Sequence, residues 1–461
     1  MRNHPSLALW CGNNEVEWLW KWQLNTSEII DDNLINDFKL GYIRIFENVL
    51  SKLIEEYDPI RSYWPSSPSN GYIGENLGTQ NSNLPNIGDS HFWDVWHRNK
   101  PFRAYRKFNS RFMSEFGYES FPSIKTIEVF CPIEQFDFFS PIMENHQKNS
   151  AGNKKIFNYM KKRFSIPQKF EDRVVLSQIT QAEAIEYGVE HWRRNRNDYH
   201  CMGSLYWQLN DCWPVASWSS LDYYGRWKAL HYYAKRFYNP IFASVKEDKN
   251  SIEFWITNDC RTPQKILYEW KILESNGNTL KKGLFKSNIH PCSSKRLGII
   301  DTTDIHQTKD DLQNHIIFFK LIYNNLEGEQ LFHGFRLFTA PKKFPLKDPF
   351  ISWELNEVFC GESNRKEYEI KLTSKDIALY VHIASDKFDF VASDNFFSME
   401  PNETRLISLK NLELIYSSEP VYLKVKKGLY ANVSADETIR SRFAPIDGFL
   451  LFLQSKKIGA P

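Results

Sequence analysis

HPSLALWCGNNE, residues 4–15, is a short apolar run that ends in two amides and a carboxylate. The run 7–10 reads as a β-strand, and a strand that stops in Asn13, Asn14 and Glu15 stops at something polar. A second stretch repeats the pattern: in SRFMSEFGYESFPS, residues 110–123, a strand ends in Glu115. Around these two, residues 1 to about 240 alternate strand and helix. Residues 31–58 are predicted helical, because Leu34, Phe38, Ile45, Val49 and Leu53 recur near helical spacing behind an acidic start. PIRSYWPSSP (59–68) and HFWDVW (91–96) read as strands, with a Gly/Asn-rich loop between them. A long amphipathic helix is expected over about 174–198, a strand over 201–211 and a helix over 226–238. Such alternation, with polar residues at strand ends, predicts a parallel sheet closed or covered by helices.

After Pro240 the rhythm changes. IFASVKED, SIEFWITND, KILYEWKILES, IIFFKLIYNN and LFHGFRLF alternate every other residue, with turn signals at Asn276-Gly277 and Glu327-Gly328. This is the pattern of a β-sandwich. APKKFPLKDP (340–349) reads as a linker or edge strand, and a second all-β run extends to about Val433. The expected class is α/β followed by all-β, with domains at 1–240, 241–343 and 344–461.

The 461 residues suit several domains, and a net charge of +2 gives no footprint for nucleic acid or a membrane surface. No apolar run approaches the ~18 residues that span a bilayer, and the first ten residues do not read as a signal peptide. Seven scattered cysteines without a CxxC pair suit neither a zinc site nor a dense disulfide scaffold, though one or two disulfides are possible. Asn25, Asn402 and Asn432 head glycosylation tripeptides, a weak pointer to the secretory pathway. The 15 tryptophans fit large cores or sugar-stacking platforms.

In a (β/α)8 barrel, residues at the C-terminal ends of strands line the active site. Two glutamates so placed suit glycoside hydrolysis, which needs a protonated acid for the leaving oxygen and an ionised carboxylate for the sugar. HPSLALWCGNNE, SRFMSEFGYESFPS and GSLYWQLNDCWPVASWSSLDYYGRWKALHYYAKRFY (203–238) resemble the β-mannosidases of glycoside hydrolase family two, the lysosomal-type animal enzymes in particular. The resemblance is strong over the first 240 residues and architectural beyond them. It implies Glu15 as acid/base at the end of barrel strand four, Asn14 as partner of the sugar 2-hydroxyl, and Glu115 as nucleophile on strand seven. It implies removal of terminal β-linked mannose with retained configuration, no metal or cofactor, and a lysosomal location. Trp207 or Trp213 is expected on the sugar face, and Trp96 and His97 on the rim.

Only about five barrel strands can be counted, ending near Trp10, Trp64, Trp96, Glu115 and Asn210, where a closed barrel has eight. The chain therefore resembles the C-terminal part of the enzyme, from barrel strand four onward, with two Ig-like sandwiches after it. The missing N-terminal part of the same protein is a candidate partner, and the chain alone is expected to be weakly active or inactive. Competing readings are a galactosidase, glucuronidase or glucosaminidase of the same family, a non-catalytic carbohydrate-binding module, and a fragment of a predicted gene.

Overall fold

The computed structural model describes residues 2–19, 32–72, 82–248, 250–323, 330–359, 366–385, 389–410 and 423–426. These fall into two units, 1–117 with 187–207 and 118–186 with 208–461.

In the first unit Leu9–Cys11 (β1) pairs in parallel with Ser62–Trp64 (β2), Trp10 opposite Tyr63. The ladder resumes where Asn14 meets Ser67. Parallel strands cannot be joined by a tight turn, so a helix must carry the chain back. It comes as Asp32–Tyr42 (α1), a wider π-type segment Ile43–Val49, and Leu50–Tyr57 (α2). Arg61 fastens the return: its guanidinium donates to both carboxylate oxygens of Asp58 and to the carbonyls of Leu7 and His4. The apolar residues that announced this helix are not buried. Leu34, Phe38, Ile45, Val49 and Leu53 are each between 42% and 54% exposed.

Ser90–Phe92 (β3) pairs in parallel with Met113–Phe116 (β4). The register slips after Ser90, so Ser114 is an extra residue and His91 lies opposite Glu115. The other edge of β4 takes two more parallel bridges, Met113 to Ser204 and Gly117 to Trp207. The strand expected over 91–96 is cut short. After Phe92 the chain winds into helical turns, with His97 N–H bonded to the Trp93 carbonyl and Arg98 N–H to that of Asp94. Behind β4, Trp192 packs edge-on against Phe116 at 4.6 Å and Tyr105 at 5.5 Å.

The second unit opens with helices the sequence reading did not place: Ile124–Phe130 (α3), Pro141–Asn145 (α4) and Gly152–Arg163 (α5). Phe170–Arg194 (α6) begins here and gives its last turns to the first unit. Ala229–Phe237 (α7) is the helix expected there. Strands Ile241–Glu247 (β5), Ser251–Asn258 (β6), Gln264–Glu274 (β7), Thr279–Ile289 (β8), Ser293–Asp301 (β9), His315–Tyr323 (β10) and Gln330–Leu337 (β11) follow. They form two antiparallel sheets, β5-β6-β9 and β11-β10-β7-β8. Phe254 of β6 meets Tyr268 and Trp270 of β7 across them, the aromatic core of a sandwich. Gly277 takes the positive φ that the Asn276-Gly277 turn between β7 and β8 requires.

Seven more strands follow: Ser352–Phe359 (β12), Lys366–Thr373 (β13), Ala378–Ser385 (β14), Val391–Ala392 (β15), Phe397–Met399 (β16), Thr404–Lys410 (β17) and Leu423–Lys426 (β18). They give a second pair of antiparallel sheets, β12-β13-β17-β15 and β16-β14-β18. Glu327-Gly328, Asn25, Asn432 and Cys360 lie outside the described residues. The six described cysteines are free.

Candidate active site

The two adjacent asparagines of the opening stretch do different work. Asn13 is glue: its side-chain oxygen accepts from Val16 N–H at 3.1 Å and Ser66 hydroxyl at 2.7 Å, and its amide donates to the Pro65 carbonyl at 2.8 Å. Asn14 is exposed, and its amide has no partner among the described residues. Glu15 follows in the left-handed region, φ 62°, which costs a non-glycine residue about 1 kcal/mol or more. Its N–H is held by the Ser67 carbonyl at 2.7 Å, and its own carbonyl takes Leu19 N–H at 2.8 Å. The strained residue thus ends the strand and starts a helical turn.

Glu115 reaches the same place from β4. Oxygens of Glu15 and Glu115 and a ring nitrogen of His91 all lie within 4.8 Å of one another. His91 Nδ1 is 2.8 Å from Glu15 Oε1 and 3.7 Å from Glu115 Oε1. Trp93 Nε1 donates to Glu115 Oε1 at 3.1 Å. Burial pushes the Glu115 carboxyl above the usual carboxylate range. His91 is the main influence pulling it back, Glu15 raises it, and the Trp93 hydrogen bond lowers it. Gly117 makes room for the indole, since a Cβ there would lie 2.7 Å from Trp93 and from the Trp207 carbonyl.

His91 is itself clamped. The Asn83 side chain accepts its N–H at 2.8 Å and donates to its carbonyl at 3.0 Å, doing the work of a neighbouring strand. Its Nε2 lies 3.0 Å from Ser67 Oγ. Beneath them Asp89 accepts four hydrogen bonds: Ser67 at 2.6 Å and Ser114 at 2.5 Å on Oδ2, Trp64 Nε1 and Ser69 N–H at 3.0 Å on Oδ1. All four donors are neutral groups.

Of the expected site residues, Glu15 and Glu115 come together, with Asn14 exposed beside Glu15. Trp207, 43% exposed, pairs with Gly117, two residues past Glu115, so strand alternation puts it on Glu115's face. His97 is exposed and leans on Trp93, ring centroids 4.9 Å apart. Trp96 is corrected: it has no exposed surface and is a core residue. Because β3 ends at Phe92, the next turn carries Trp96 inward instead of along a rim. Trp213 lies in the second unit, stacked on His146 at 4.8 Å with the Lys148 ammonium 4.6 Å over its ring. His91, Trp93 and Asp89 were not foreseen. The pairing of His91 with Glu115 was readable only with the bulge at Ser114.

Glu15, His91 and Glu115 offer one ligand atom each to a cation, as do His333, Glu400 and Glu403 in the second unit. The second set already has its positive charge, from Lys271, Lys320 and Arg405. In the first, the imidazole and indole nitrogens serve the carboxylates.

Comparison with known proteins places this arrangement. An Ig-fold domain model, Ig_mannosidase, matches residues 346–419. A β-mannosidase B of Aspergillus clavatus is 34% identical over 282 residues, 60% of this chain and 32% of that one. A β-mannosidase of Capra hircus is 32% identical over 294 residues, 59% of this chain and 33% of its own. Among solved structures, a β-D-mannosidase from Dictyoglomus thermophilum matches with a TM-score of 0.77 and 29% identity over 93% of this chain and 49% of that chain. An exo-chitosanase of Amycolatopsis orientalis, 15% identical, shares the fold at a TM-score of 0.65, covering 94% of this chain and 51% of its own. The chain spans about a third of the length of the curated relatives it matches. Sequence and fold both make it similar to the β-mannosidases, the family its strand-end motifs resemble.

Proposed function

We propose that this chain carries the catalytic glutamates of a retaining exo-β-mannosidase acting on terminal non-reducing β-D-mannose of oligosaccharides from glycoproteins. The observation that carries the reading is the meeting of Glu15 and Glu115. An oxygen of each lies within 4.8 Å of the other, which fits the ~5–5.5 Å carboxyl separation of retaining enzymes better than the ~6.5–9.5 Å of inverting ones. Glu115 attacks the anomeric carbon while Glu15 gives its proton to the departing oxygen. Water then displaces Glu115, with Glu15 taking the proton back. The nucleophile must be ionised, and His91 and Trp93 are the groups that favour its charge against burial.

The parallel strands of residues 1–240 are then strands four to eight of a (β/α)8 barrel, and residues 241–343 and 344–461 are two Ig-like domains. The exposed row on α1 and α2, and β1 with a partner on one side among the described residues, fit further strand–helix units of a longer polypeptide. We therefore expect weak or no turnover from the 461 residues alone. A lysosomal location follows from the resemblance and agrees with an exposed Asn402. No helix among the described residues is long and apolar enough to cross a membrane.

The test must register slow chemistry. A 2-deoxy-2-fluoro-β-mannosyl fluoride should attach one sugar to Glu115, read by peptide mapping, and Glu115→Gln should abolish the adduct. Labelling elsewhere, or none alongside a fully active aryl-mannosidase, refutes the assignment. Galactosyl and glucosaminyl analogues decide among related specificities. Sugar binding with no adduct favours the non-catalytic reading.

A further inference from the structure

We propose that His91 is a positioning residue whose Nδ1 shares a resident proton with Glu15 Oε1, in a tautomer fixed by Ser67 and Asp89, and so leaves Oε2 to carry the acid/base proton. The role in hydrolysis rests on the mannosidase reading of Glu15; the shared proton does not.

Donor counting leads there. Ser67 and Ser114 hydroxyls both lie within 2.6 Å of Asp89 Oδ2. An ionised carboxylate is a stronger acceptor than a neutral ring nitrogen, so the Ser67 proton belongs to Asp89. The Ser67 oxygen can then only accept from His91, which puts a hydrogen on Nε2. Nδ1 is left facing Glu15 Oε1 at 2.8 Å. Two bare acceptors repel at that distance, so a proton lies between them.

The consequence is a unit with two working states. With a proton on Nδ1, Glu15 Oε1 is hydrogen-bonded and Oε2 is free for the substrate. A second proton on Oε2 makes the competent acid, and the imidazolium faces Glu115 Oε1 at 3.7 Å, offsetting the nucleophile's charge. In the first step the Oε2 proton goes to the leaving oxygen as Glu115 bonds to the sugar. In the second, water gives a proton to Oε2 and its hydroxyl to the sugar, and Glu115 departs. The Nδ1 proton stays throughout, and atoms and charge balance. The carboxylates facing the ring are Glu15 from the end of β1, Glu115 from β4 and, through Ser67, Asp89 from the approach to β3.

The test is a two-bond ¹H–¹⁵N spectrum of the histidine-labelled 461-residue chain, which reads the protonation of each ring nitrogen. His91→Gln assigns the signal; if that variant does not fold, the ring that responds to Ser67→Ala is the same one. We expect both ring nitrogens to carry a hydrogen in the parent chain, and Glu15→Gln to remove the one on Nδ1 while leaving that on Nε2. A bare Nε2, or an Nδ1 signal indifferent to Glu15→Gln, overturns the proposal. Glu115 labelling by the fluoro-sugar reports on the mannosidase reading separately, so either can fail alone.

Discussion

Two histidines among the described residues sit between two glutamates, and the surroundings give them opposite work. In the second unit His333, on β11, has Glu400 at 3.7 Å and Glu403 at 3.6 Å. Lys271 binds Glu400 at 2.7 Å, Lys320 at 3.1 Å, and Arg405 binds Glu403 at 2.9 Å. Fixed cations tie those carboxylates to neighbouring strands, though burial still pushes the Glu403 carboxyl up to about 7. In the first unit no lysine or arginine among the described residues pairs with Glu15 or Glu115, and an imidazole and an indole N–H attend them. A permanent cation at bonding distance blunts a carboxylate as a nucleophile and occupies the face a substrate would need. What separates the first cluster is that its nitrogen partners are an imidazole and an indole, with no permanent cation bonded to Glu15 or Glu115 among the described residues.

The sharpest way to break the comparison is to neutralise one carboxylate in each cluster. Glu115→Gln should reduce turnover or fluoro-sugar labelling at least about a thousandfold with little change in melting temperature. Glu400→Gln should do the reverse, leaving labelling intact while two ammonium groups lose their anion, at a cost of about 1–3 kcal/mol by denaturant titration. If Glu400→Gln removes chemistry, the second cluster is not structural.

The glutamates were legible because each ends an apolar run, a pattern carried by adjacent residues. Their attendants were not, because a parallel sheet joins residues far apart in sequence. Nothing near His91 in the chain says that it meets Glu15, 76 positions earlier. Trp96 was misplaced for a local reason: HFWDVW looks like strand throughout, but Asp94 and Trp93 carbonyls start helical turns. The helix of residues 32–57 was found from its apolar row, yet periodicity does not say what covers that row, and here it is exposed.

Stability separates the regions by pH. Glu119 in the second unit is fully buried; Gln147 donates to Oε2 at 2.8 Å, and burial pushes its carboxyl up to about 8. Between the unfolded value near 4.5 and about 8 the folded chain keeps a proton that the unfolded chain releases, so stability falls as pH rises. We expect a loss of roughly 1 kcal/mol per pH unit from pH 5 toward 8. Glu119→Gln, a neutral isostere, should flatten that slope in urea titrations. An unchanged slope removes Glu119 as its cause.

Smaller effects test whether the first cluster's tuning is by hydrogen bond or by shape. Gly117→Ala places a methyl 2.7 Å from the Trp93 ring and from the Trp207 carbonyl, and should destabilise by about 1–3 kcal/mol. Trp93→Phe keeps most of the ring and removes only the donor at 3.1 Å from Glu115. The Glu115 carboxyl, already raised by burial, then moves further up, because one of the groups favouring its charge is gone. Labelling of Glu115 should begin at a higher pH in this variant and be only severalfold slower above it. If Gly117→Ala shifts the pH dependence as Trp93→Phe does, displacing the indole equals deleting its N–H, and Gly117 serves Glu115 by letting the donor reach it. If only the indole substitution moves the profile, the glycine serves packing, and the cluster's tuning rests on the nitrogen alone.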